Sequence, residues 1–248
     1  MMSRGRWGGL PATLLRKVTV VENLEATGQL PVHKLTFANP TKEPSLGIRL
    51  DYGEVVKVEV PGFKPKSYSM SGEDREAGTF DVTVKVYPGG RCSGYLDSID
   101  IGESIHVFGK GGKERNAGSH VGAVAFGVGI TEALPVCKAE LRKGAEHVHL
   151  VWGARTFGDM FWGDELEALE RQYKDRFTLT RVLSREDRDG CLRGRVDRGV
   201  LERAFGGWRG EAGARFLFVG TKEMMRGAEA SLEKVGFAWP GSALLYKP

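Results

Sequence analysis

Lys66-Ser67-Tyr68-Ser69 sets a cation, an aromatic ring and hydroxyls side by side. On an extended strand Lys66 and Tyr68 face one way, Ser67 and Ser69 the other. The combination suits a planar cofactor: Tyr stacks on a ring, Ser hydrogen-bonds a ring nitrogen and Lys offsets phosphate charge. An ordinary edge strand uses the same residue types. Gly89-Gly90-Arg91-Cys92-Ser93-Gly94-Tyr95-Leu96 offers backbone N–H groups and the Ser93 hydroxyl to phosphate oxygens if Tyr95 and Leu96 begin a short helix. A hairpin loop is the other reading. Further on, Gly127-Val128-Gly129-Ile130-Thr131 follows an apolar run, and such a turn lets amides and a positive helix end approach a pyrophosphate. Tight strand-to-helix turns favour Gly with or without a ligand. His33, His106, His120, His147 and His149 form no metal-ligand pattern, so no metal is expected.

The elements around these segments change character along the chain. Lys17 to Val21, Glu54 to Val60 and Phe80 to Tyr87 alternate apolar with polar residues, the period of half-buried strands. Pro61-Gly62 and Pro88-Gly89-Gly90 punctuate them, so the N-terminal part is expected to be a small antiparallel β-barrel or sandwich without a convincing helix. Val121 to Phe126 is instead continuously apolar and leads into a helical segment, Thr131 to Lys143. The alternation repeats: Val148 to Trp152 then Asp159 to Tyr173, Phe177 to Leu183 then Asp197 to Phe205, Phe216 to Val219 then Lys222 to Val235. Strand-helix alternation predicts an α/β doubly wound parallel sheet. Met160, Leu166 and Leu169 read as its core. Two domains follow, 1–115 and 116–248, with the boundary in the Gly-rich, charged stretch from Gly109 to Ser119.

Composition narrows the function classes. The 248 residues carry 36 Lys and Arg against 32 Asp and Glu, a net charge of +4 with both signs interspersed, which argues against nucleic acid as a partner. An apolar share of 41% and a charged share of 27% fit a folded globular protein. Gly, at 35 residues, is about twice as frequent as usual, consistent with loops that approach a ligand closely. The 3 Cys are too few and too dispersed for a disulfide scaffold or an iron–sulfur centre. No apolar stretch reaches the length of a transmembrane segment. A reducing, cytoplasmic setting is expected, with an organelle matrix or stroma as the alternative because Arg4, Arg6, Arg16 and Lys17 precede the first acidic residue, Glu22.

The order of the segments resembles the ferredoxin-NADP reductase superfamily of flavoprotein oxidoreductases: Lys66 to Ser69, Gly90-x-x-Ser93, then Gly127-x-Gly-Ile-Thr131. Gly153-Ala154-Arg155, Asp164-Glu165-Leu166, Ser184-Arg185-Glu186, Gly194-Arg195-Val196 and Val219-Gly220-Thr221 with Met224 or Met225 continue the likeness from about Leu15 to Tyr246. The resemblance implies that Tyr68 stacks on the flavin of FAD and Ser69 hydrogen-bonds its reactive edge. It also implies that Lys66 stands for a phosphate-binding Arg, and that Gly90 and Ser93 hold the phosphates. Gly127, Gly129 and Thr131 would receive NAD(P)H, with Thr131 near the nicotinamide. Four positions depart from the family's pattern: Lys66 for Arg, Glu132 for Pro, Val219 for Cys and Thr221 for Pro.

The expected activity is hydride transfer from NAD(P)H to FAD and onward release of electrons to an unidentified acceptor, a small molecule or carrier protein. The flavin carries the chemistry, so Ser69, Thr131 and Val219 would act by orientation rather than as general acids or bases. NADPH is favoured over NADH because Arg155, Ser184 and Arg185 fall at the ends of parallel strands, where the adenosine end of a dinucleotide lies. The other reading is a noncatalytic flavin- or nucleotide-binding subunit with a regulatory or assembly role.

Overall fold

The computed structural model describes residues 16–26, 31–38, 55–74, 76–109 and 118–238. Glu54, residues 110–117 of the expected domain boundary, and Arg4 and Arg6 lie outside that set. The described residues form two compact units. The first is a closed six-stranded barrel of β1 (Arg16–Ala26), β2 (Val32–Ala38), β3 (Val55–Glu59), β4 (Lys66–Asp74), β5 (Thr79–Lys85) and β6 (Ser104–Gly109), ordered β1-β2-β5-β4-β3-β6. Period-two alternation explains it: Val56 and Val58 of β3 and Val82 and Val84 of β5 point into one apolar cluster with Leu35, Phe37, Phe80 and Val107.

The expectation of a helix-free N-terminal half is corrected by α1 (Arg91–Asp97), which rules out the hairpin-loop reading. Its Cys92 and Leu96 are buried in the barrel cluster, so tertiary packing holds seven residues that have little helix propensity of their own. Strand β4 pairs with β3 through Lys66 to Ser69 and with β5 from Met70 onward.

The second unit is a five-stranded parallel sheet of β7 (His120–Phe126), β8 (His147–Ala154), β9 (Phe177–Leu183), β10 (Leu192–Arg193) and β11 (Ala214–Val219), ordered β10-β9-β8-β7-β11. Its helices are α2 (Ile130–Arg142), α3 (Gly163–Gln172), α4 (Arg198–Phe205) and α5 (Lys222–Val235). Asp197 caps α4 by accepting the Val200 N–H at 2.9 Å, and Thr221 caps α5 by accepting the Met224 N–H at 3.3 Å. The helix expected from Asp159 starts only at Gly163: Asp159 closes a capping box with Thr156 in a separate 3₁₀ turn, and Trp162 takes a left-handed φ of 62°. Met160, Leu166 and Leu169 are buried as expected. The chain runs from β7 outward to β10 and then returns to β11 on the other side of β7. The carboxyl ends of β7 and β11 therefore flank the point where strand order reverses, the usual ligand crevice of such sheets. Among the described residues, no helix is long and apolar enough to cross a membrane.

Candidate functional site

On the barrel, β4 carries the Lys66 to Ser69 segment with Tyr68 opposite Val56 and Lys66 opposite Val58. Tyr68 is half-buried and packs on the barrel's apolar cluster together with Tyr95 of α1. Burial, reinforced by the nearby Cys92, pushes its phenol up to about 12, so the ring is neutral at any working pH. A rigid, neutral, half-exposed aromatic fits a planar ring system. Ser69 is half-buried on the alternate side, and Lys66 and Ser67 are exposed.

Gly90 precedes α1, and a Cβ there would collide with the Ser93 hydroxyl and lie 2.9 Å from the Tyr87 carbonyl oxygen. The Ser93 hydroxyl points inward. It donates to the Gly90 carbonyl at 3.3 Å and accepts the Tyr87 N–H at 3.4 Å, bracing the Gly-rich turn. Ser93 thus offers a first-turn amide rather than a free hydroxyl to an anion, and the first-turn amides of a helix have no acceptor inside it. Arg91, not anticipated from sequence, opens α1 with its guanidinium 5.6 Å from the Phe63 ring. A cation directly after Gly-Gly was the signal for it. A cavity of about 780 Å³ lined by Glu59, Phe63, Lys64, Tyr95, Ser104 and His106, among others, contains none of the anticipated cofactor contacts.

In the second unit, β7 delivers the chain into a 3₁₀ turn, Gly127–Gly129, before α2. Gly127 takes a φ of +53°, which disfavours any side chain. Trp152, fully buried on β8, donates its indole N–H to the Gly127 carbonyl at 2.9 Å and locks the turn. Sequence reasoning missed that bond. Gly129 lies against the end of β11: a Cβ there would sit 2.6 Å from the Val219 carbonyl oxygen and 3.1 Å from Val219 Cγ1. Gly127, Gly129, Thr131 and Val219 are thereby brought to one edge, with Ala125 of β7 paired to Val219. Phe126 lies between glycines on both neighbours, since a Cβ at Gly153 would come within 3.5 Å of its ring and one at Gly220 within 2.9 Å. Thr131 and Glu132 are both buried in the first turn of α2. This narrow, rigid edge of amides fits a dinucleotide backbone.

Arg155, Ser184 and Arg185 stand at the carboxyl ends of β8 and β9. The strand pairing continues past the strands, with Ser184 N–H to Ala154 C=O at 3.0 Å and Arg185 N–H to Arg155 C=O at 2.9 Å. All three side chains are exposed. On the same sheet His149 is half-buried, its Nδ1 3.1 Å from the Ala204 carbonyl and its Nε2 2.8 Å from the Thr180 hydroxyl. Those partners assign the proton to Nδ1. Among the described residues, no three His, Cys, Asp or Glu side chains converge as a metal site would require.

Residues 17–115 match the family model of the oxidoreductase FAD-binding domain, and residues 123–230 that of the oxidoreductase NAD-binding domain. NADH-cytochrome b5 reductase 1 of Dictyostelium discoideum is 34% identical over 145 residues, 55% of this chain and 50% of the relative. The protein of the same name from Candida glabrata is 31% identical over 185 residues, 71% of this chain and 64% of the relative. The chain thus spans about half to two thirds of the length of these curated relatives. In fold it is similar to the cytochrome b5 reductase domain of Ulva prolifera nitrate reductase (TM-score 0.80, 22% identity, 93% of this chain and 97% of that one). It is also similar to a Neisseria gonorrhoeae ferredoxin NADP+ reductase with bound FAD and NADP (TM-score 0.74, 17% identity, 94% and 96%).

Proposed function

The chain belongs to the ferredoxin-NADP reductase superfamily, and from that premise we propose that it is an oxidoreductase passing electrons from NAD(P)H by way of FAD to a separate acceptor. FAD, when bound, supplies two-electron uptake from a nicotinamide and release of electrons to the acceptor. On the barrel, the neutral Tyr68 ring offers the stacking face, Ser69 a hydrogen bond beside it, Lys66 and Arg91 positive charge, and the α1 first turn its amides. In the sheet unit, the Gly127–Gly129 turn and Thr131 receive the dinucleotide, and Val219 bounds the nicotinamide end. The observation that carries this reading is the contact of Gly129 with the Val219 backbone at the point where strand order reverses.

The relatives' names support cytochrome b5 as the acceptor and NADH as the donor. For the donor, the chain's own residues pull the other way. Arg155 and Arg185 make no ion pair among the described residues and stand with Ser184 at the ends of adjacent strands, a seat suited to the extra phosphate of NADPH. We favour NADPH on that ground. Free Cys92, Cys137 and Cys191 support a reducing compartment, the cytoplasm first.

The test is a visible spectrum of the purified protein, anaerobic bleaching by NADPH and by NADH, and then reduction of added cytochrome b5. Colour that bleaches faster with NADPH, in a manner lost in Arg155→Ala/Arg185→Ala, supports the whole reading. Protein that takes up no FAD overturns it, and faster bleaching by NADH overturns the donor assignment alone.

A further inference from the structure

Glu186 follows Ser184-Arg185 directly, and a loose carboxylate there would repel an incoming phosphate. The structure engages both of its oxygens. Oε2 accepts the Phe157 N–H at 2.7 Å, and Oε1 lies 3.8 Å from Nη1 of Arg188. The Arg188 guanidinium carbon stands 3.8 Å from the centre of the Phe157 ring. Glu186, Arg188 and Phe157 therefore close a ring of contacts that ties the turn after β8 to the loop after β9.

The two tied segments are the ones that carry the arginines. Arg155 sits one residue before Thr156, whose hydroxyl bonds the Asp159 carboxylate at 3.1 Å in the capped turn that presents Phe157. Arg185 immediately precedes Glu186 and is bonded through its N–H to the Arg155 carbonyl. We infer that Glu186 is a positioning residue that clamps the β8 and β9 loops together, so that Arg155 and Arg185 stand as a paired cationic seat for the 2′-phosphate of NADPH. This rests on the proposed placement of the adenosine end at this edge.

A clamp and a simple negative charge predict opposite signs. Glu186→Gln keeps an acceptor for the Phe157 N–H and removes the charge, whereas Glu186→Ala removes both. Loss of a hydrogen bond to a charged group is about a tenfold effect. The experiment is calorimetric titration of the FAD-loaded protein with 2′,5′-ADP and with 5′-ADP, which lacks the 2′-phosphate. For the clamp, Glu186→Ala weakens 2′,5′-ADP about tenfold and 5′-ADP far less, while Glu186→Gln binds 2′,5′-ADP at least as tightly as the parent. KM for NADPH rises in the Ala variant with kcat little changed. If the Ala variant binds 2′,5′-ADP as tightly as the Gln variant, the clamp is wrong while the parent's preference for 2′,5′-ADP still supports the seat. If the parent itself binds the two probes equally, the seat is wrong and the clamp falls with it.

Discussion

Gly129→Ala isolates the contact on which the proposed nucleotide site rests. Gly129 has an ordinary helical backbone, φ −58° and ψ −16°, so alanine there meets no conformational strain. It meets the Val219 carbonyl oxygen at 2.6 Å, and reaching ordinary contact near 3.4 Å requires a separation of about 0.8 Å between the α2 start and the β11 end. Overpacking of this kind costs about 1–3 kcal/mol, visible in urea unfolding. A displacement of about 1 Å at a reacting site can cost roughly a hundredfold in rate. Anaerobic stopped-flow reduction by NADPH should therefore slow by ten- to a hundredfold with FAD content unchanged. Because the tightest clash is with main chain, adding Val219→Ala relieves only the Cγ1 contact and should not restore the rate. Wild-type kinetics in Gly129→Ala, or full rescue by Val219→Ala, would refute this account of the turn.

Tyr68→Ala should weaken FAD binding by about 1–3 kcal/mol, the worth of an aromatic stacking partner in nucleotide sites, and an unchanged dissociation constant and flavin spectrum would count against Tyr68 as the stacking face. Trp152→Phe removes the bond to the Gly127 carbonyl and should cost about 1–3 kcal/mol of stability with a raised KM for NAD(P)H; unchanged values of both would show that the turn needs no lock. Burial, partly offset by the Ala204 carbonyl, lowers the His149 pKa to about 4, so the unfolded chain takes up this proton first as pH falls. Stability should drop between about pH 6.5 and pH 4 by up to about 3 kcal/mol from this residue. His149→Gln should flatten that slope in denaturation midpoints measured across the range, and an equally steep profile would dismiss His149 as its source.

The strand periods showed three of the N-terminal strands, with barrel and sandwich both open, and most strand-helix pairs of the second unit, because burial on one or both faces dictates the residue pattern locally. Tertiary contacts decided what could not be read. α1 exists because Cys92 and Leu96 find the barrel interior, a contact invisible in a seven-residue stretch with Gly94 in its middle. The inward turn of the Ser93 hydroxyl follows from the Gly90 and Tyr87 main chain, and the lock on Gly127 comes from a tryptophan on the next strand. The partner of Glu186, the Phe157 N–H, lies 29 residues earlier, a distance no local pattern spans.

The departures from the family's pattern bear on whether turnover survives, and the structure separates side-chain positions from main-chain ones. At Val219 the partner of Gly129 is chiefly a carbonyl oxygen, so valine in place of cysteine leaves the turn's geometry intact. Thr221 in place of proline gains a cap for α5 instead of a fixed φ. Glu132 in place of proline occupies the first turn of α2, where a carboxylate interacts favourably with the helix end. Glycine is kept at 127, 129, 153 and 220, where a positive φ or a close approach demands it. Those approaches are contacts of the chain with itself, so they keep the shape of the edge whether or not a nucleotide is turned over. Rapid anaerobic bleaching of bound flavin by NAD(P)H is the result that a working reductase gives and a noncatalytic module fails to give.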